Sequence, residues 1–314
     1  MPIATVDEAF TQLLSRIELS PFRVTLVSQR YSSLKASIES ALPGKTLHQI
    51  GSFQRGTKIR PADLSNQLDI EVLVSFGRFS QYSETGTEGY TPSGALRIIQ
   101  LAVRQSDSYR VIEQQQEHPT IRIEYPDQMA IELVPGFEDL RTQHHHGPNG
   151  PNCFFVAGSL YRWIAADYDY DAQIISRLNA RAEGKLVPTI KLVKAYFRNA
   201  AVPLKSFHTE VLVANVVPSL VSEWKCQGYR YGLHHLFAGF LSEVSKTITS
   251  AARLHGSFSP PVDSGLNYAT LSSLATFLAA RAEVAWQLCR ADKIRGWTEF
   301  FGEPFPSGAS RGAF

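Results

Sequence analysis

Apolar positions near the start of the chain recur at helical spacing. Val24, Val27, Tyr31, Leu34, Ile38 and Leu42 follow one another at intervals of three or four. That spacing gathers them on one face of a long helix. Ser20-Pro21 opens it with an N-cap and a proline at the first helical position, and Pro43-Gly44 stops it. A shorter helix is predicted over residues 5–17. The apolar pattern then becomes strand-like over residues 47–50, 68–76, 120–125 and 129–134. A helix over 93–104 separates the second of these from the third. Residues 80–92, rich in Gly, Thr and Glu, read as a loop. From Leu160 onward the pattern is helical, with segments predicted at 161–166, 171–182, 187–199, 207–217, 231–254 and 269–291. Pro188 stands near a helix start, where proline is tolerated, and Pro218 reads as a stop. Residues 141–159 form the natural seam, with Gly, Pro, Asn and His and little periodicity. The tail after Pro306 holds almost nothing to bury.

Composition narrows the class. A chain of 314 residues that is 44% hydrophobic can bury a sizeable core in one large domain or two packed ones. Its net charge of +2 excludes a protein devoted to coating nucleic acid. Cys153, Cys226 and Cys289 are odd in number and widely spaced, which fits neither a disulfide framework nor a paired CxxC zinc site. Reduced thiols and a cytoplasmic location are expected. The N-terminus lacks a secretory pattern, and no apolar stretch is long enough for a membrane span. His144-His145-His146 with Cys153 could be proposed as a metal site, but the Gly147-Pro148-Asn149-Gly150-Pro151 run between them favours a solvated loop.

The chemistry concentrates on two strands. Gly51-Ser52 is followed, after fifteen intervening residues, by Leu68-Asp69-Ile70-Glu71-Val72. Strand alternation turns Leu68, Ile70, Val72 and Val74 to one face and forces Asp69 and Glu71 together on the other. Unpaired, they repel; a divalent cation removes the conflict, and Mg²⁺ prefers a few carboxylates with phosphate oxygens. Glu132 lies inside the apolar run Met129–Val134, where a lone glutamate is costly without a partner or a metal. If the two strands pair, three carboxylates converge, a set suited to two-metal phosphoryl or nucleotidyl transfer. His208 and Glu210 could form an acid–base pair, but anchoring a helix start is the favoured reading. The sequence has no GxxxxGK[ST] run, which disfavours a P-loop enzyme.

GSFQRGTKIRP, LDIEVLV and AIELVPGFE, in that order, resemble the core of polymerase-β-type nucleotidyltransferases. More narrowly they resemble the cGAS/DncV-like nucleotidyltransferases (CD-NTases) of bacterial anti-phage (CBASS) signalling. VPTIKLVKAYFRNAAVPLKSFHTEVL, VDSGLNYATL and WTEFFGEPFP extend the resemblance to Pro306. It implies an α+β fold: a nucleotidyltransferase lobe with a mixed sheet and a long spine helix over residues 1–150, a helical lobe over 151–306, and a flexible tail over 307–314. It implies that Asp69, Glu71 and Glu132 bind two Mg²⁺ ions, with Mn²⁺ a candidate substitute, and that Gly51 and Ser52 hold the donor triphosphate. Lys194 and Ser206 would contact phosphates, and Phe207 would stack on a base. Lys191, three residues before Lys194, either shares the phosphate role or is merely solvated. The family commonly has aspartate at all three metal positions; the glutamates at 71 and 132 depart from that, which bears on metal preference and rate.

The activity so implied is synthesis of a cyclic di- or trinucleotide from NTPs, ATP among them, with the product acting on a separate effector protein. Two rivals stay open: a transferase using RNA, a small molecule or a protein as acceptor, and a nucleotide-binding pseudoenzyme. A DNA activator is not expected, given the small net charge and the lack of a Cys/His zinc element in the sequence. Some relatives are conjugated through their C-terminus by ubiquitin-like machinery, although this chain ends Gly312-Ala313-Phe314 rather than in glycine.

Overall fold

The structure, a computed structural model, describes residues 3–61, 67–78, 91–105, 109, 114–117, 120–139, 151–158, 162–262 and 265–306. Most of the 80–92 loop, the three consecutive histidines and the 307–314 tail lie outside the described residues.

Helix α1 (Val6–Ile17) is closed at its start by a reciprocal cap. The Thr5 hydroxyl accepts the Glu8 N–H, and the Glu8 carboxylate accepts the Thr5 N–H. Helix α2 (Pro21–Ala41) starts where the sequence predicts, with Ser20 accepting the Arg23 N–H. Its buried face is Val27, Leu34 and Ile38, while Val24, in the first turn, is 47% exposed.

A mixed sheet follows. Its strands are β1 (Thr46–Gln49), β2 (Leu68–Arg78), β3 (Gln114–Glu117), β4 (Thr120–Tyr125), β5 (Met129–Asp139), β6 (Cys153–Gly158) and β7 (Arg162–Ala166). The order is β1-β2-β5-β4-β3, with β6 on the far end of β5 and β7 on β6. The β2–β5 pair is parallel and the others are antiparallel. Between β1 and β2 lies the short α3 (Gly51–Gln54), and between β2 and β3 lies α4 (Pro92–Gln105). Helices α2 and α4 cover one sheet face. Leu34, Ile38, Leu96, Ile99 and Val103 meet Ile70, Val72, Ile121, Ile123 and Ile131 in one buried cluster. Burial of each large aliphatic side chain contributes about 1.5–3 kcal/mol.

The second half is α5 (Tyr168–Arg181), α6 (Leu186–Asn199), α7 (Ser206–Cys226), α8 (Leu233–Thr247), α9 (Tyr268–Ala291), a 3₁₀ turn (Arg295–Trp297) and α10 (Thr298–Phe301). Three expectations change here. Residues 161–166, predicted helical, contribute β7; the stretch is too short to show a helical period, and its Trp163 and Ile164 suit a pleated surface. The sheet therefore runs past residue 150 to Ala166. Pro218 does not stop its helix. Val213, Val217 and Val221 are buried on both sides of it, and that packing outweighs the ~3 kcal/mol cost of an interior proline.

Helix α1 also sides with the helical half. Val6, Phe10, Leu13 and Ile17 belong to the helical core, not to the core beneath the sheet. Phe10 is fully buried and meets Trp297, Phe301 and Phe305 edge-on at centroid distances of 4.9, 5.5 and 5.6 Å. Phe10→Ala should lower the unfolding free energy by about 3–5 kcal/mol in a denaturant titration. A loss below about 1 kcal/mol would mean that α1 is not part of that core.

Candidate active site

The uncovered face of the sheet carries the carboxylates. Along β2, Leu68, Ile70 and Val72 are buried against the helices, while Asp69 is half-buried and Glu71 exposed on the opposite face. Parallel pairing sets Glu71 beside Glu132, and antiparallel pairing sets Glu132 beside Arg122. Asp69, Glu71 and Glu132 thus share one face, as the sequence predicts. Further along, the same face turns apolar, with Leu73 and Val134 packed against Ile50, Phe154 and Val156.

The Gly51-Ser52 turn abuts this face. Ile50 donates its N–H to the Glu71 carbonyl, which continues the β1–β2 pairing into the turn. Gly51 has φ +74°, and a Cβ there would stand 1.5 Å from Glu71 Oε2. Only glycine permits both the backbone turn and the carboxylate position. The loop closes through Arg55 N–H to the Gly51 carbonyl and Thr57 N–H to the Ser52 carbonyl, at 3.2 and 2.9 Å. Ser52 is buried.

Arg122 was not singled out in the sequence, yet its guanidinium is the hub of the acidic face. Nη1 donates to Glu132 Oε1 at 2.5 Å, Nη2 to Asp69 Oδ1 at 2.9 Å and Nε to Glu124 Oε1 at 2.9 Å; Nη2 also bonds Gln67. Burial opposes its charge, but these carboxylates outweigh that and raise its pKa. Burial and the neighbouring Asp69 charge push the Glu132 carboxyl upward, with Arg122 pulling the other way. The signal was present in TIRIEY: with Ile121 and Ile123 inward, Arg122 and Glu124 must face the carboxylates.

A second set of charges joins the lobes. Glu210, fully buried on α7, accepts Arg55 Nε at 2.7 Å, Arg55 Nη2 at 3.2 Å and Lys194 Nζ at 2.7 Å. Burial disfavours its ionisation, but Arg55 and Lys194 outweigh it and bring its pKa down to about 2. Lys194 also donates to the Thr57 carbonyl and hydroxyl at 3.1 and 3.3 Å, so its three N–H bonds all have partners. Glu210 therefore anchors more than a helix start: it ties α6 and α7 to the Gly51-Ser52 loop. The Arg55 guanidinium lies over the Phe207 ring, 4.5 Å from its centroid. Lys191 points elsewhere, to Glu18 Oε1 at 2.7 Å.

Beside the carboxylates is a cavity of about 340 Å³ between the lobes, lined in part by Lys58, Arg60, Gln67, Lys194, Arg198 and Ser206. Lys58 Nζ donates to the Asp69 main-chain carbonyl at 2.7 Å, and burial lowers its pKa despite the nearby Asp69 and Glu71. The site thus places a cationic cavity against an anionic sheet face. Among the described residues, a set of ligand atoms within 4.8 Å of one another is instead His234, His235 and Cys289 on α8 and α9, a cluster the sequence reading did not find. His235 Nδ1 accepts the Gly232 N–H, so its proton sits on Nε2 and the ring caps the helix. His234 Nδ1 stands 3.1 Å from Asp7 Oδ1.

A mixed sheet with a glycine-serine turn and clustered carboxylates, closed by a helical lobe, resembles the polymerase-β-type nucleotidyltransferase fold. Residues 4–155 match the Second Messenger Oligonucleotide or Dinucleotide Synthetase (SMODS) domain. The chain is 22% identical over 300 residues to a probable cyclic nucleotide synthase of Bacillus cereus (strain VD146), covering 84% of this chain and 83% of the relative. Its fold matches the Bradyrhizobium diazoefficiens CD-NTase CdnG in complex with GTP (TM-score 0.71, 12% identity, 95% of each chain). It also matches Escherichia coli MS115-1 CdnC with ATP (TM-score 0.69, 12% identity, 96% and 99% of the chains). The fold is thus that of the cGAS/DncV-like nucleotidyltransferases, the CD-NTases.

Two outcomes follow from this geometry. Glu210→Ala leaves Arg55 and Lys194 buried without their anion and should cost about 3–5 kcal/mol in denaturant. Because the Glu210 pKa is depressed, its contribution is complete above the unfolded-state value near 4.5 and is lost as pH falls toward about 2. The gap between wild type and variant should therefore close on acidification; a gap constant from pH 7 to 2.5 would contradict the ion-pair assignment. Gly51→Ala should displace the Glu71 carboxylate and impair activity well beyond any loss in melting temperature.

Proposed function

We propose that the protein joins NTPs, ATP among them, into a cyclic di- or trinucleotide that acts on a separate effector protein in anti-phage defence. The observation that carries this reading is the meeting of three carboxylates, a glycine-serine turn and a cationic cavity in one cleft. Phosphate groups fit between the cavity and the acidic face only with cations to balance both. The GTP and ATP held by the CdnG and CdnC structures support nucleotides as substrates. No described helix is long and apolar enough to cross a membrane.

Asp69, Glu71 and Glu132 offer hard oxygen donors on one face, a set that fits two Mg²⁺ ions. Bound there, such ions would stabilise the attacking and leaving oxygens and acidify the acceptor hydroxyl. Glu132 would orient the acceptor hydroxyl or take its proton. Gly51 and Ser52 hold the donor triphosphate at the turn. Lys58, Ser206 and the charge of Lys194 face the departing pyrophosphate from the cavity. Phe207, with Arg55 over its ring, offers an aromatic edge to a base. Lys191, held by Glu18, takes no part. After the first bond forms, the linear intermediate turns over in the same cleft for ring closure. Duplex DNA is not required.

Incubation with all four NTPs and either Mg²⁺ or Mn²⁺, followed by mass spectrometry, should yield pyrophosphate and a cyclic di- or trinucleotide. Mn²⁺, with looser geometric demands, should serve at least as well as Mg²⁺, because Glu132 is one methylene longer than aspartate. Asp69→Asn with Glu71→Gln should abolish synthesis while circular dichroism and melting temperature stay the same or rise. Product formed only with an added acceptor would indicate a transferase of another kind, and nucleotide binding without pyrophosphate release would indicate a pseudoenzyme.

A further inference from the structure

Arg122 occupies an unusual place for a fixed positive charge. It stands in the same row as Glu132 and Glu71, one strand over, on the face proposed to hold metal. Its side chain is 11% exposed, and besides Gln67 its donors go to three carboxylates: Asp69, Glu132 and Glu124. Two of these belong to the proposed metal-binding set. The third, Glu124, does not; it sits two residues along the same strand and is held through Nε alone. A divalent ion held by Asp69 and Glu132 would compete with the guanidinium for these two carboxylates, because two cations so close together repel.

We infer that Arg122 is a positioning residue that holds Asp69 and Glu132 in the metal-free protein and is exchanged for the divalent ion, withdrawing to Glu124 when the ion binds. The inference rests on the metal-binding role proposed for Asp69 and Glu132. Before binding, Arg122 offsets the repulsion among the carboxylates and fixes their rotamers. On binding, it gives up Asp69 and Glu132 and keeps the Nε bond to Glu124, so its charge stays paired. Metal affinity is then set by a competition inside the protein: Arg122 raises the concentration of metal needed, and Glu124 lowers it by giving Arg122 a place to go.

The test is Mn²⁺ titration of the full chain without nucleotide, with free Mn²⁺ read by electron paramagnetic resonance. Arg122→Met should bind Mn²⁺ at least about tenfold tighter, because a positive charge that repels the ion has been removed from beside it. Its metal-free melting temperature should fall and its Mn²⁺-induced rise should grow, while Arg122→Lys should stay near wild type in both. Glu124→Gln, which leaves the fold's apolar contacts intact, should bind Mn²⁺ more weakly and covers the case in which Arg122→Met does not fold. Unchanged or weaker binding in Arg122→Met, or unchanged or tighter binding in Glu124→Gln, would overturn the exchange. Asp69→Asn separates the two claims. Loss of Mn²⁺ binding there alongside unchanged binding in Arg122→Met overturns the exchange alone, whereas wild-type binding in Asp69→Asn overturns the metal reading and the exchange with it.

Discussion

Like charges crowded on one face of a β-sheet are the constraint from which the rest of this molecule follows. Strand alternation leaves Asp69 and Glu71 no choice of side, and the β2–β5 register brings Glu132 next to Glu71. Two carboxylates 5 Å apart repel by about 3 kcal/mol at an effective dielectric of 20. The fold answers with cations from several directions. Arg122 enters from the neighbouring strand, Lys58 from the loop after the glycine-serine turn, and the cationic cavity from between the lobes. The anions lie where a phosphate-bound cation would be welcome.

The lobes are held together by the opposite device. At Arg55–Glu210–Lys194 one anion is buried between two cations, with every Lys194 donor directed. Such a group contributes little net stability compared with an apolar substitute, but it tolerates no partial removal. Its value here is positional. It fixes the Gly51-Ser52 loop against α6 and α7, so the turn and the cavity keep one spacing. Lys194, which a resemblance-based reading assigns to phosphate, is first of all part of this lock. Its charge reaches the cavity because the lock holds it there.

Much of the sheet and its chemistry is legible in the sequence, because alternation and helical spacing are local. The cap at Ser20, the inward row of β2 and the placing of Asp69 and Glu71 on one face follow from such patterns; Glu132 joins them once β2 and β5 pair. What escapes is what depends on distant partners. Glu210 reads as an ordinary polar residue near a helix start until Arg55, 155 positions away, meets it. Helix α1 looks like part of the first lobe by position, and only its contacts with Trp297 and Phe301 place it with the second. Pro218 and β7 fail for a related reason, since tertiary packing overrides what proline or a six-residue window can signal. Arg122 is the instructive case. Its face was determined by alternation, but attention to acidic residues alone passes over the base that neutralises them.

The central claim is that one sheet face serves as a cation site shared between Arg122 and divalent metal. A crystal of the protein grown with a non-hydrolysable NTP and Mn²⁺, measured at the manganese edge, tests it most directly. The account predicts two anomalous peaks about 3.5–4 Å apart against Asp69, Glu71 and Glu132, the spacing of two-metal sites, with Glu124 the one carboxylate still bonded to Arg122. Nucleotide bound in the cleft with no anomalous peak at those carboxylates, and Arg122 still spanning Asp69 and Glu132, would contradict it.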